Sequence, residues 1–375
     1  FLTKINSFIF NFSVVNRFIS YIFILLGLAV LFVSNSEGLM EKITQKRSAV
    51  KGPFGIHHSD AGDLVSMGYL DDVKKFQEPY DYLFTKSVDT LAPKNIDLYI
   101  YGDSYLIPVP DSAFHNINSY HFGRRSVSDL TYNLDPHKKN ILIIEYAERF
   151  ARGEFHNFNI YEHVKKETGK AFTEYHSNLM EARLLSFHLF NSDINRNLEY
   201  NLYGYSFWDP VKLSKASLTY HFFKRAVGNV VVSKDGSRLF LRETTASNGF
   251  ASSYYPFSDK EFQEMVGNIN SVYDHYKSEG FDEIYLSIIP NPVTVIQPDH
   301  YNGLIPRLQQ PGVLNGTRII NVYNVYSQDP DPGRFYRIGD THWNNNGLQV
   351  WLKVVNEELK KQSLSMHEEQ LATGH

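Results

Sequence analysis

The most restrictive stretch of this chain is residues 18–33, FISYIFILLGLAVLFV, which carries no charge and almost no polar side chain. Only Lys4 and Arg17 are charged before it. As a helix rising about 1.5 Å per residue it spans roughly 24 Å, somewhat less than the ~30 Å hydrocarbon core of a bilayer. Adding Val14, Val15 and Ser34 lengthens it, provided that Arg17 snorkels to the headgroups. A core helix of a soluble domain would show a polar face, and this run has none. Two readings stay open: an uncleaved anchor over residues 18–34, or a secretory signal cut near the small residues Ser34-Asn35-Ser36. We favour the anchor. The basic residues that follow, Lys42, Lys46, Arg47 and Lys51, outnumber those in front, which by charge alone would keep the trailing side in the cytoplasm.

With 375 residues, 42% of them hydrophobic, the chain can bury one large domain or two smaller ones. A net charge of -4 supplies no basic field for nucleic acid. The absence of cysteine excludes disulfides, thiolate metal sites and a cysteine nucleophile, and leaves the redox compartment open. His57-His58-Ser59-Asp60 has the residue types of a metal site, but no second ligand cluster stands at a matching spacing, so it reads as a polar loop. No metal and no cofactor is expected.

Two distant motifs carry the chemistry. Residues 96–100 alternate as a buried strand does and stop at Gly102-Asp103-Ser104, a sharp turn at the carboxyl end of the strand. In open α/β sheets that edge collects reactive groups. Near the other end, Asp340-Thr341-His342-Trp343-Asn344 sets a carboxylate and an imidazole two residues apart ahead of a helical pattern. A serine hydroxyl needs a base to become a nucleophile, and the base needs a partner to fix its tautomer. Ser104, His342 and Asp340 fill those three roles. Each motif alone has a plain explanation, a helix cap or a loop histidine; together they point to acyl chemistry.

The Gly102-Asp103-Ser104 turn and the Asp340–Trp343 segment resemble the first and last sequence blocks of the SGNH hydrolase superfamily. The Asp-Thr-His-Trp-Asn wording, with 141–149 (ILIIEYAER), is similar to the SGNH-type polysaccharide O-acetyltransferases, such as those acting on alginate. In that group Glu-x-x-Glu-Arg stands where ordinary SGNH esterases carry Gly-x-Asn-Asp. The resemblance covers about residues 91–362 and implies a flavodoxin-like α/β sandwich. It further implies a polysaccharide acceptor and an acyl donor delivered by a membrane-bound O-acyltransferase. The enzyme would stand at the cell membrane, single-pass, its catalytic domain on the periplasmic side, or be secreted if the N-terminal segment is cleaved. That location runs against the charge bias noted above. Two departures are evident. The Asp–His pair follows the serine here, whereas in the alginate enzymes it precedes it, and the usual oxyanion-hole asparagine is missing. Asp103, Gly123, Arg149 and Asn291 are the candidate oxyanion or substrate residues. A carbohydrate esterase with the same triad, and an inactive glycan-binding scaffold, are the alternatives.

The organisation expected is a short segment over 1–17, the anchor over 18–34, a linker with a packing helix (71–84) over 35–90, a catalytic domain over 91–362 and a frayed tail over 363–375. Five parallel strands are expected at 96–100, near Tyr120, and at 140–144, 283–289 and 318–322. An insertion over 154–257 is expected to hold a helical stretch (172–202), a hairpin around Asp235-Gly236, and an aromatic group, Tyr203, Tyr205, Phe207 and Trp208, read as core. Ser258-Asp259-Lys260-Glu261 reads as a capping box opening a helix.

Overall fold

The computed structural model describes residues 2–48, 50, 52–78, 82–84, 94–157, 160–167 and 193–373. The chain divides into two compact units, Phe1–His58 with Lys170–Lys215, and Ser59–Gly169 with Ala216–His375.

The larger unit is built on a five-stranded parallel sheet. In chain order the strands are β1 (Ile96–Gly102), β2 (Ile117–Arg124), β3 (Leu130–Tyr132), β4 (Lys139–Ala147), β5 (Val164–Lys166), β6 (Val230–Val232), β7 (Leu239–Leu241), β8 (Glu283–Ile289) and β9 (Arg318–Ile320). The main sheet runs β2-β1-β4-β8-β9, while β3 pairs with β5 and β6 with β7. Counting only its own strands, the sheet has the order 2-1-3-4-5 of a flavodoxin-like fold. All five expected strands are present.

Unbroken apolar runs form the central strands because both faces of the sheet are covered. On β1 and β4, Ile96, Leu98, Ile100, Ile141 and Ile143 face a core shared with Trp343, Trp351 and Leu348. The alternate residues Tyr99, Tyr101, Leu142 and Ile144 face Phe262, Met265 and Ile269 of helix Asp259–Ser278. That helix begins as read, with the Ser258 side chain accepting the Glu261 N–H at 3.1 Å. Each fully buried large side chain contributes about 1.5–3 kcal/mol, so this three-layer packing sets the sheet edge that carries the site.

The domain edges differ from expectation. The larger unit begins at Ser59 rather than 91: Leu64, Val65, Leu70 and Phe76 share a core with Val230, Leu239 and Tyr220. In place of a helix over 71–84, the described residues hold only the short helix Asp63–Gly68 and a single turn at Lys74–Phe76. The expected hairpin forms, with Gly236 at φ 72°. The last helix, Asn345–Thr373, runs through the segment expected to fray. Residues 85–93 and 168–192, which hold the expected domain start and most of the 172–202 stretch, lie outside the described residues.

In the smaller unit a helix spans Leu2–Asn35. Its Asn16–Asn35 part, with mean hydropathy 2.2, is long and apolar enough to cross a membrane or to serve as a signal segment. The aromatic group read as core is only partly covered: Tyr203 (52%) and Phe207 (47%) are exposed, and Tyr205 and Trp208 are half-buried. It belongs to this small unit, in which few of the described side chains are buried. His57 Nδ1 lies 3.1 Å from Asp209 Oδ2, a local pair within the unit.

Candidate active site

The site sits at the carboxyl edge of the sheet, where the strand order reverses between β1 and β4. β1 ends at Gly102, and three side-chain and backbone bonds shape the turn that follows. Asp103 N–H donates to Glu145 Oε2 at 2.8 Å, Asp103 Oδ1 accepts the Tyr105 N–H at 3.0 Å, and its Oδ2 accepts the Ala147 N–H at 2.8 Å. Asp103 therefore shapes the Ser104 turn from inside, with both carboxylate oxygens taken up by backbone N–H groups. Glycine is required just before it, because a Cβ on Gly102 would stand 2.7 Å from Glu145 Oε2. Burial, then the neighbouring Asp103, push the Glu145 carboxyl well above its usual range.

The turn presents Ser104 to His342. Ser104 Oγ lies 2.7 Å from His342 Nε2, and His342 Nδ1 lies 2.6 Å from Asp340 Oδ1. A carboxylate on Nδ1 keeps the proton there and leaves Nε2 to accept from the serine. Asp340 also accepts the His342 N–H at 2.9 Å, and its side chain is 1% exposed against 21% for His342. The imidazole is thus reachable while its orienting carboxylate is sealed. Tyr105 packs under the ring, centroids 4.7 Å apart, and its hydroxyl donates to Thr341 O. Asn344, not Asp340, caps the last helix: its Oδ1 accepts the Asn346 and Gly347 N–H groups.

A second carboxylate, not singled out in the sequence, completes the loop. Asp63 N–H donates to Asp340 Oδ2 at 2.9 Å, and the Asp63 carboxylate accepts the Thr341 N–H (2.7 Å) and hydroxyl (2.5 Å). Its Oδ2 stands 3.9 Å from His342 Nδ1. Burial, then Asp340, raise the Asp63 carboxyl above its usual value, with His342 and Thr341 opposing. Gly62, at φ 141°, lets the chain pass against Gly339 O, where a Cβ would meet that oxygen at 2.3 Å. The Gly62-Asp63 pair at the start of a short helix is the only sequence signal, and it is a weak one. Asp63, Asp340 and His342 together have the donor types for a cation, but His342 Nδ1 and Asp340 are already committed to each other.

The remaining candidates separate. Arg149 opens helix Glu148–His156 beside the site, 8% exposed, its guanidinium 5.5 Å from the Tyr105 ring and 4.7 Å from the Phe150 ring. Among the described residues it makes no ion pair, and its bond to the Tyr105 hydroxyl is long, at 3.5 Å. Gly123 was expected at a turn; it lies inside β2, opposite Tyr101. A Cβ there would come within 2.6 Å of Leu130 Cβ, so the glycine is explained by packing. The next two amides are occupied, Arg124 N–H by Ser128 Oγ and Arg125 N–H by Gly102 O. Asn291 is buried in a separate network: its N–H and the Thr294 hydroxyl donate to Glu148 Oε2, and its Nδ2 donates to Ser253 Oγ. Burial pushes the Glu148 carboxyl up to about 7 against those bonds. The Ser104 N–H has no acceptor among the described residues and stands beside its own Oγ. Two cavities, of about 400 and 670 Å³, are lined by residues such as Lys353 and Asn356, and Asn116 and Tyr120, and include no triad residue.

No family model, curated protein or solved structure matches the chain.

Proposed function

We propose that this chain is an SGNH-type serine acyltransferase that O-acetylates a polysaccharide through an acyl-Ser104 intermediate on the outer side of the cytoplasmic membrane. The observation that carries the acyl-transfer half is the continuous relay from Ser104 Oγ through His342 to Asp340, at 2.7 and 2.6 Å. The polysaccharide acceptor and the side of the membrane rest on the motif resemblance.

His342 Nε2 takes the Ser104 proton as Oγ bonds to the acyl carbon of the donor. The tetrahedral intermediate collapses with cleavage of the donor's acyl bond, and His342 returns the proton to the leaving group. An acceptor hydroxyl then attacks the acyl carbon and gives its proton to His342. Ser104 Oγ leaves and takes that proton back. The Ser104 N–H, with Arg149 nearby, supplies the donors for the oxyanion. Water in place of the sugar hydroxyl would make the enzyme an esterase, a reading favoured by the exposed edge of His342.

The uncleaved anchor is supported by the burial of Ser34, Asn35 and Ser36. Asn197 Nδ2 donates to Ser34 O and Asn201 Nδ2 to Ser34 Oγ, whereas a leader peptidase needs an extended, open segment there.

The test is incubation of the purified chain with an activated acetyl ester. The expected result is a burst and acetyl-labelled Ser104, both lost in Ser104→Ala. A chain that neither bursts nor becomes labelled overturns the proposal. Adding an acceptor oligosaccharide then separates transfer from hydrolysis by its product.

A further inference from the structure

The smaller unit holds both the apolar helix and the aromatic group around Trp208. Its Asn16–Asn35 span comprises 20 residues and is 11% buried. At ~1.5 Å per residue it measures about 30 Å, the thickness of a hydrocarbon core. Polar bonds hold its final turn. Asn197 Nδ2 reaches Ser34 O and Asn201 Nδ2 reaches Ser34 Oγ, each at 2.9 Å. Amide side chains bonded at that level mark where the span leaves the apolar phase, since an amide in hydrocarbon costs several kcal/mol.

The helix that carries these two asparagines is Ile194–Tyr203, so Tyr203 lies just past Asn201. Four more rings run on from it. Tyr203 to Trp208, Trp208 to Phe207, Phe207 to Tyr205 and Tyr205 to Phe54 have centroids 5.8, 5.0, 5.6 and 6.4 Å apart. Phe54 is brought in by backbone bonds, Phe207 N–H to Pro53 O at 2.9 Å and Ser206 N–H to Gly55 O at 3.1 Å. The cluster is well built yet open along one side, with Phe54, Tyr203 and Phe207 exposed and Tyr205 and Trp208 half-buried. Three of the five, Tyr203, Tyr205 and Trp208, carry a polar group on an apolar ring, and such rings prefer the boundary between hydrocarbon and water. Lys42 and Lys46, on helix Glu37–Ser48 after the span, suit anionic headgroups.

We propose that the Phe54–Tyr203–Tyr205–Phe207–Trp208 cluster is a lipid-binding surface that lies in the headgroup layer at the trailing end of the Asn16–Asn35 span. The span and the cluster together grip the bilayer at two depths. This binding is independent of acyl transfer.

The chain has 3 tryptophans, and Trp343 and Trp351 are 0% exposed. Bilayer-dependent changes in emission therefore report Trp208. The full chain is reconstituted in phosphatidylcholine–phosphatidylglycerol vesicles containing lipid brominated either near the headgroup or deep in the acyl chain. The expected result is loss of the Trp208 emission with shallow bromines and a smaller loss with deep ones. In Trp208→Phe, emission is expected to be the same with and without bromine. The double variant Tyr203→Ser/Phe207→Ser is expected to lose the quench and to open Trp208 to aqueous iodide. Emission untouched by either brominated lipid overturns the proposal: open to iodide, the cluster faces water; shielded from iodide, it is covered by protein. A stronger quench from deep bromines overturns it as well, because the cluster would then lie in the hydrocarbon. None of these readings depends on ester cleavage, so each stands whether or not Ser104 is acylated.

Discussion

Replacing Asp340 by asparagine isolates the orienting step. The wild-type carboxylate, 1% exposed, accepts from His342 Nδ1 at 2.6 Å. A charge-assisted bond of this kind is worth about 1.5–3 kcal/mol, or roughly 10- to 150-fold in rate if it strengthens with the developing imidazolium. Asparagine also favours the other tautomer. If its Oδ1 keeps the bond to the His342 N–H, its amide faces Asp63 N–H, donor against donor; if the amide turns to Nδ1, the ring must carry its proton on Nε2, against Ser104. An imidazole protonated on Nε2 cannot take the serine proton, which brings the total loss to about 100- to 10,000-fold. The assay is the burst and steady-state release from an activated acetyl ester. A thermal melt alongside it checks that the folded fraction is unchanged. A variant that stays folded and turns over within about tenfold of wild type would refute Asp340 as the orienting residue, all the more if Ser104→Ala is dead.

Asp63→Ala removes the acceptor of both Thr341 donors, so it should cost about 1–3 kcal/mol of stability and lower turnover more than ester affinity; denaturant titration and a KM-against-kcat split check this. Gly102→Ala forces a Cβ to 2.7 Å from Glu145 Oε2, which is itself held by Asp103 N–H. Overpacking of this kind costs about 1–3 kcal/mol, seen as a lower melting temperature, and it should also weaken Ser104 labelling. Glu148, pushed up to about 7 in the fold, binds its proton more tightly there than in the unfolded chain. Its contribution is therefore fully present below the unfolded value and is lost as pH rises through about 7, with a total near 3 kcal/mol at about 1.36 kcal/mol per unit. The free energy of unfolding measured across that window should fall as pH rises, and Glu148→Gln should remove this share of the slope.

The five parallel strands, the capping box at Ser258 and the apolar span were legible because each is a local pattern, in which burial on two faces, a terminal hydroxyl or an uncharged run writes itself into neighbouring residues. Ser104, His342 and Asp340 were legible for a related reason: a turn after a strand and a carboxylate two residues from an imidazole are short motifs. Other roles had no local signature. Asp63 stands far from Asp340 in the chain and reaches it only because Leu64, Val65 and Phe76 find their core against the β6–β7 hairpin. Gly123 looked like a turn glycine because sequence does not show Leu130 crossing over it. The aromatic group at 203–208 looked like core because composition does not show which rings packing leaves uncovered. Local chemistry thus determined the elements and pointed to Ser104, Asp340 and His342, while long-range packing alone decided which third chain segment braces those three residues and which rings are left facing out, since both depend on contacts between residues that the chain order keeps apart.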